Sequence, residues 1–310
     1  MAHRPKNPLI PTRDGVSPSC VAVPTLKPLP WASVLQFLSE RLPVIDAAGW
    51  ARRLAQGDVL DDDARPVAAD AACVPGARLY YWRQLDHEPA FPFEPDVLFQ
   101  DDHLLVADKP PFMPVTPTGR YVQHSLMVWL KRHTGIHTLN PVHRIDRETA
   151  GLVVFNLRPK ERNAYHALFR DRAVHKVYEA IAPLCADQTW PLVRRSRIEE
   201  DVEAFFRMVE TEGEPNSETR IDLIERHGEW ARYRLEPITG KRHQLRVHLN
   251  ALGAPIAGDR FYPTVRDGPM HTEDHTSPLQ LLAQQIAFDD PVTGHPRQFQ
   301  SRRSLAWPAF

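Results

Sequence analysis

His143-Arg144-Ile145-Asp146-Arg147-Glu148-Thr149-Ala150-Gly151-Leu152-Val153-Val154-Phe155 sets one carboxylate, Asp146, between two arginines and then runs through a Thr-Ala-Gly turn into an apolar strand. A carboxylate held against cations stays ionised near neutral pH and is oriented rather than merely solvated. Taken alone, these residues read more simply as an exposed aspartate in an arginine-rich loop. A second segment shifts that balance: Ile238-Thr239-Gly240-Lys241-Arg242-His243-Gln244-Leu245-Arg246-Val247-His248-Leu249, followed by Gly253-Ala254-Pro255-Ile256-Ala257-Gly258-Asp259.

Around these segments, helical and strand patterns mix without regular alternation. The first 30 residues hold seven prolines and read as an extended arm. Apolar spacing predicts a helix over 31–42 and a second from Asp46 as N-cap to Ala55, with Trp50 and Leu54 inward. Gly57 ends it, and strands follow at 59–60 and 76–82. Glu88-Pro89-Ala90-Phe91-Pro92-Phe93-Glu94-Pro95 reads as a linker. Beyond it we expect paired strands at 97–99 and 103–107, a helix over 125–133 and a buried strand over 151–155. A helix over 158–170 follows, with Ala164, Leu168 and Phe169 inward. Strands are expected at 174–181, 219–225 and 230–236. Residues 242–252 have helical spacing, with Leu245, Leu249 and Leu252 on one apolar face. The class is α+β: a larger domain over 96–310 built on a largely antiparallel mixed sheet, with a small N-terminal α/β appendage over 31–87.

A chain of 310 residues, 42% hydrophobic and 25% charged, can bury a sizeable core. Its net charge of −1 lacks the strong basic excess usual in nucleic-acid-binding domains. The charge is uneven, however. Acidic residues gather at Asp61–Asp63 and Glu199–Asp201, cations at Arg170–Lys176, Arg194–Arg197 and Lys241–His248. A neutral total can therefore hide a basic face, although solvated surface charge is the simpler account of the Arg194 cluster. Cys20, Cys73 and Cys185 are widely spaced and carry no pairing or zinc pattern, which suggests a reducing compartment. No metal is expected, and no apolar stretch approaches a membrane span, so the cytoplasm is the expected location.

Together these blocks resemble the RluA-type pseudouridine synthases, which modify ribosomal and transfer RNA. The family loop His-Arg-Leu-Asp-x-x-Thr-Ser-Gly-Leu is matched by His143 to Leu152, the Asp-Lys-Pro turn by Asp108-Lys109-Pro110, and Lys-x-Tyr-x-Ala by Lys176 to Ala180. Thr239 to Leu249 matches the Thr-Gly-Arg-Thr-His-Gln-Ile-Arg-Val-His-Leu segment, and Leu279 to Pro291 the closing block. Five blocks in order over roughly 95–300 make coincidence remote. The helix-helix-strand order of 31–87 resembles a ribosomal-protein-type RNA-binding module. It is degenerate, with Asp61–Asp63 where such modules are basic, so a packing appendage is an equal reading.

The resemblance implies an RNA pseudouridine synthase that needs no cofactor and works on a loop or single-stranded uridine; the oligomeric state is open, with a monomer as the default expectation. Asp146 would be the catalytic carboxylate, Arg246 its bidentate partner, and Tyr178 the ring stacked on a flipped base. Leu281 would wall the pocket, Arg144 would fill the gap left in the RNA stack or hold phosphate, and Lys241, Arg242, His243 and Lys109 would meet phosphates. His143 would shape its loop, and Gly151 and Gly240 would serve turns. Ala150 stands where serine is usual, Lys241-Arg242 where Arg-Thr is common, Leu282 where many members carry histidine, and Met113 where glycine is frequent. None of these removes a catalytic group. Two other classes compete. A non-catalytic RNA-binding or assembly protein has no need of Asp146, Tyr178 and Arg246 together. A glycosidic hydrolase pairing Asp146 with Glu148 would place its two carboxylates on one side of the bond, where such enzymes need opposite sides.

Overall fold

The structure, a computed structural model, describes residues 7–85, 88, 91–266 and 274–308. The first residues of the expected arm, parts of the appendage and linker at 86–87 and 89–90, and the final two residues lie outside that set. The chain divides into two compact units. One comprises Met1–Pro89 with Gly119–Gln123 and Val128–His137, and the other comprises the remainder.

The first unit contains β1 (Ser19–Ala22), α1 (Val34–Arg41), α2 (Ala47–Ala55), β2 (Val59–Leu60) and β3 (Arg78–Tyr81). Ser33 and Asp46 cap the two helices, their side chains accepting the amide hydrogens of Gln36 and Gly49. Phe37, Leu38, Trp50, Val59 and Leu79 close a core under the sheet β1-β3-β2. The proline-rich start does not stay a bare arm: Ser19–Ala22 pairs antiparallel with β3, satisfying that strand's edge. The acidic run has a local use. Asp61 accepts the amides of Asp63 and Arg65 in a turn, while Asp62 takes Arg78 and the Tyr80 hydroxyl.

The rest of the chain forms, in order, β4 (Asp96–Gln100), β5 (Leu104–Lys109), α3 (Leu126–Thr134), β6 (Asn140–Pro141), β7 (Ala150–Asn156), α4 (Arg162–Arg170), β8 (His175–Pro183), β9 (Leu192–Glu200), β10 (Met208–Thr211), β11 (Ser217–His227), β12 (Trp230–Pro237), α5 (Gln244–Ala251), β13 (Leu281–Asp289) and β14 (Pro296–Gln300). Among the described residues, eleven strands make one sheet with the path β10-β9-β11-β12-β8-β13-β7-β5-β4. There β14 adds to β13, and β6 to β7. Every pairing is antiparallel except β13 with β7, so the sheet is mixed but largely antiparallel, as expected.

At that parallel seam Gly151 has φ +107°, and a Cβ there would press into the backbone of Ala283, 2.7 Å from its nitrogen. Gly151 thus allows two strands to meet rather than serving a turn. The expected Gly240 turn shows no such demand, since a side chain at Gly240 would meet nothing within 4 Å.

Helix α4 fully buries Tyr165, while Leu168 and Phe169 of the expected face are half-buried against the same core, and the Tyr165 hydroxyl donates to Asp290 Oδ1 at 2.9 Å. Helix α5 was expected to bury one apolar face. Instead Gln244 through Leu249 are all buried. Leu245 and Leu249 join the core with Tyr233, Leu235, Ile256 and Leu281, and the polar residues between them find buried partners. Gln244 donates to the Glu218 carbonyl and Thr219, and accepts from Thr239 and the Lys241 amide. The His248 ring meets Ser196, Ser217 and Thr219. No helix among the described residues is long and apolar enough to cross a membrane.

Candidate active site

Within the second unit an open cleft of about 1060 Å³ is lined by every candidate residue except Lys109. Its floor is built by three elements. The loop between β6 and β7 carries Arg144 and Asp146, and a turn in which Thr149 N–H donates to the Asp146 carbonyl holds the loop just before β7. The buried start of α5 brings His243 and Arg246. Strands β8 and β13, paired antiparallel, supply Tyr178 and Leu281.

Arg246 is 1% exposed, yet the bidentate contact expected with Asp146 goes elsewhere. Its Nε and Nη2 each donate at 2.7 Å to Asp259, itself buried. The third nitrogen, Nη1, has no hydrogen-bond partner and faces two carboxylates, Asp146 Oδ2 at 3.5 Å and Glu148 Oε2 at 3.9 Å. Phe261 and Tyr262 cover the guanidinium, with ring centroids 5.1 and 5.4 Å away. The geometry therefore differs from the expected pair for a physical reason. The fork is spent on orienting the arginine, and only its outer edge is left for Asp146. Burial alone would lower the Arg246 pKa. Asp259, and after it Asp146 and Glu148, offset this and hold it above the ordinary arginine range. Burial would likewise raise Glu148, but Arg147 and Arg246 bring it down to about 2, so this second carboxylate is also ionised.

Tyr178 packs against the core of α5, and burial followed by the charge of Asp146 raises its hydroxyl well above the usual phenol range. It therefore stays protonated and can donate. Leu281 is 3% exposed and heads β13, where core packing and cleft wall are the same surface. Arg144 and Lys241 are exposed, and Arg242 reaches Glu200 and the carbonyls of Phe205 and Arg207.

Two of the expected phosphate contacts lie elsewhere. Lys109 is fully buried, its ammonium donating to the carbonyls of Pro110 and Arg147, so it braces the loop that carries Asp146 instead of facing outward. Burial lowers its pKa to about 7 against the opposing pull of Glu148 and Asp146. His243 is also buried, in left-handed backbone at φ +56°. His143 fits its expected part in the loop: its Nε2 accepts the Val154 amide at 3.1 Å, and its ring stacks on Phe169.

Sequence reasoning missed Asp259 and Glu148 as partners of Arg246, although both stand inside the quoted segments. It also left Arg172 and Lys176 as unassigned charge, and both line the cleft. The Arg194 cluster is taken up internally, with Arg194, Arg195 and Arg197 paired to Glu210, Glu218 and Glu199.

Comparison with known proteins follows this geometry. The family model for RNA pseudouridylate synthase matches residues 103–251. The dual-specificity RNA pseudouridine synthase RluA of Vibrio cholerae is 32% identical over 209 residues, spanning 63% of this chain and 78% of its own. The mitochondrial tRNA pseudouridine(32) synthase of Saccharomyces cerevisiae is 35% identical over 181 residues, 57% of this chain and 39% of its own. The human RNA pseudouridylate synthase domain containing 1 shares the fold with a TM-score of 0.56 at 20% identity, over 70% of this chain and 86% of its own. From the matched family model and the relative aligned over most of its length, the chain belongs to the RluA-type RNA pseudouridine synthases, isomerases of uridine in RNA.

Proposed function

We propose that the enzyme acts on a loop or single-stranded uridine of ribosomal or transfer RNA, with Asp146 as the reacting carboxylate and the base flipped into the cleft. The reaction breaks the C1′–N1 bond, turns the base and forms C1′–C5, while C5 loses a proton and N1 gains one. Atoms and electrons balance within the nucleotide, so no redox partner is required. The observation that carries the reading is the seat of Asp146. It is a partly exposed carboxylate 3.5 Å from a guanidinium that Asp259 holds rigidly in place. That arrangement aims the carboxylate while leaving it open to substrate.

The other parts follow from position. Tyr178 stacks on the freed base and donates from its hydroxyl, Leu281 gives the flat apolar wall, and Arg144 enters the space the uridine leaves. Lys241 and Arg242, with Arg172 and Lys176, meet the phosphates around it. Loop uridines suit such a site because they cost less stacking energy to extract. The relatives are named for dual specificity and for a tRNA position, which favours tRNA as one substrate. A monomer is part of this reading, and the free cysteines suit the cytoplasm. Residues 31–87 are proposed as an appendage joined by 88–95 to the catalytic domain over 96–310, with 1–30 leading into it.

The test is pseudouridine mapping of ribosomal and transfer RNA from cells with the gene, without it, and with Asp146→Asn. Loss of the same few sites in both altered strains supports the reading and names the substrate. Sites lost on deletion but kept by Asp146→Asn would remove Asp146 from its role. No change in any site would favour a non-catalytic RNA-binding protein.

A further inference from the structure

Three hydrogen bonds meet at the Tyr262 hydroxyl. It accepts from the Met208 amide at 2.9 Å, donates to the Met208 carbonyl at 2.8 Å, and lies 3.1 Å from Nδ1 of His243. A phenol has a single proton. With that proton committed to the carbonyl, the third contact closes only if Nδ1 carries a hydrogen and donates it. Nε2 is then the bare nitrogen.

That lone pair faces the reacting carboxylate. Nε2 lies 4.0 Å from Asp146 Oδ2, beyond hydrogen-bond distance, and both atoms are acceptors. The imidazole cannot turn away, because its backbone is fixed in the left-handed region at the start of α5 and Phe261 stacks on its ring at 5.8 Å. Burial lowers its pKa more than Asp146 raises it, so the ring is neutral around pH 7. The site thus presents an acceptor beside Asp146 that makes no hydrogen bond among the described residues.

A uridine within RNA has two donors, N3–H and the 2′-hydroxyl. N3 lies across the ring from the glycosidic bond, whereas the 2′-hydroxyl stands on the carbon next to C1′. On the reading that Asp146 acts at that bond, we propose that His243 Nε2 accepts a hydrogen bond from the 2′-hydroxyl of the target nucleotide, so that His243 is the residue through which the active site demands ribose. This replaces the phosphate contact expected of His243, which its burial excludes. The 2′-hydroxyl is the group by which a protein tells RNA from DNA.

The experiment uses a synthetic stem-loop carrying the mapped target uridine, made once with ribose and once with 2′-deoxyribose at that single position. Wild type is compared with His243→Asn and His243→Gln. Asparagine tolerates left-handed backbone and can still reach Tyr262, but leaves the Nε2 position empty. Glutamine carries an amide oxygen to that position. Wild type is expected to lose roughly tenfold or more in kcat/KM on the deoxy substrate. His243→Asn loses a similar factor on the ribose substrate and little further on the deoxy one, a coupling of about tenfold in the cycle. His243→Gln recovers activity on the ribose form alone. Equal wild-type turnover of both substrates overturns the proposal, and this comparison holds even if a variant folds poorly. An equal penalty of His243→Asn on both substrates also overturns it. A wild type inert on the ribose stem-loop would defeat the underlying reading of the enzyme, and this inference with it.

Discussion

Asp259→Ala tests whether the active-site arginine depends on a partner that never touches substrate. The substitution removes both oxygens that hold Arg246 Nε and Nη2, and the acceptor for the Phe261 and Tyr262 amides at 2.9 and 3.2 Å. Arg246 is 1% exposed and cannot hydrate in compensation. Removing one member of a buried pair costs roughly 3–5 kcal/mol, and each lost amide contact about 1 kcal/mol more. Against this, the freed fork can swing its unused Nη1 side toward Asp146 and Glu148, recovering part of the loss. The net expectation is at least ~3 kcal/mol of destabilisation, on the order of 6–12 °C in Tm. Rotation of the fork also displaces Asp146, so kcat on the mapped RNA should fall about tenfold or more with little change in KM. Thermal melting and steady-state kinetics read the two effects separately. A variant that melts within ~1 °C of wild type would refute the reasoning, because Arg246 would then be held by something other than Asp259.

Further expectations are checked by simpler measurements. Gly151→Ala should fail to accumulate as folded protein, since the new methyl would collide with the Ala283 backbone at a positive φ; a soluble variant with wild-type melting would contradict this. Tyr165→Phe should cost about 1 kcal/mol in urea unfolding and leave kcat unchanged, because Asp290 keeps Arg297 and two backbone amides. The His143 pKa is lowered from 6.5 to about 3 by burial, and next by Lys176. A histidine held neutral in the fold contributes stability that is complete above its unfolded pKa of 6.5 and lost as pH falls from there toward about 3. NMR titration of its ring protons should show no protonation at pH 5; an inflection near 6.5 would sink this assignment.

The site was legible where chemistry depends on residue type at fixed spacing. Asp146, Tyr178, Arg246 and Leu281 lie far apart in sequence, and the fold brings them to one cleft. What escaped was the direction of side chains. Lys109 looks like a surface cation at a strand end, and only the return of the Asp146 loop over it makes it a buried brace for the Arg147 carbonyl. Asp259 sits in a turn without periodicity, so nothing local marks it as the holder of Arg246. Among the strands, β9 was missed because Leu192–Glu200 reads as solvated charge, although Arg194 and Arg195 are neutralised by glutamates on the neighbouring strands. Helix α5 was placed correctly, yet its polar residues resembled a wet face until Thr219, Ser217 and Asp259 appeared as their partners.

The parallel seam at Gly151 and Ala283 also governs how the protein comes into being. Strand β13 follows every other strand of the sheet but β14 in the sequence, yet it lies mid-sheet between β8 and β7. A nascent chain that has not reached Leu281 holds two half-sheets with raw inner edges, and each can pair with a neighbouring molecule. The wall that Leu281 gives the cleft arrives in the same step that seals those edges. A version truncated before β13 is therefore expected to be both inert and sticky.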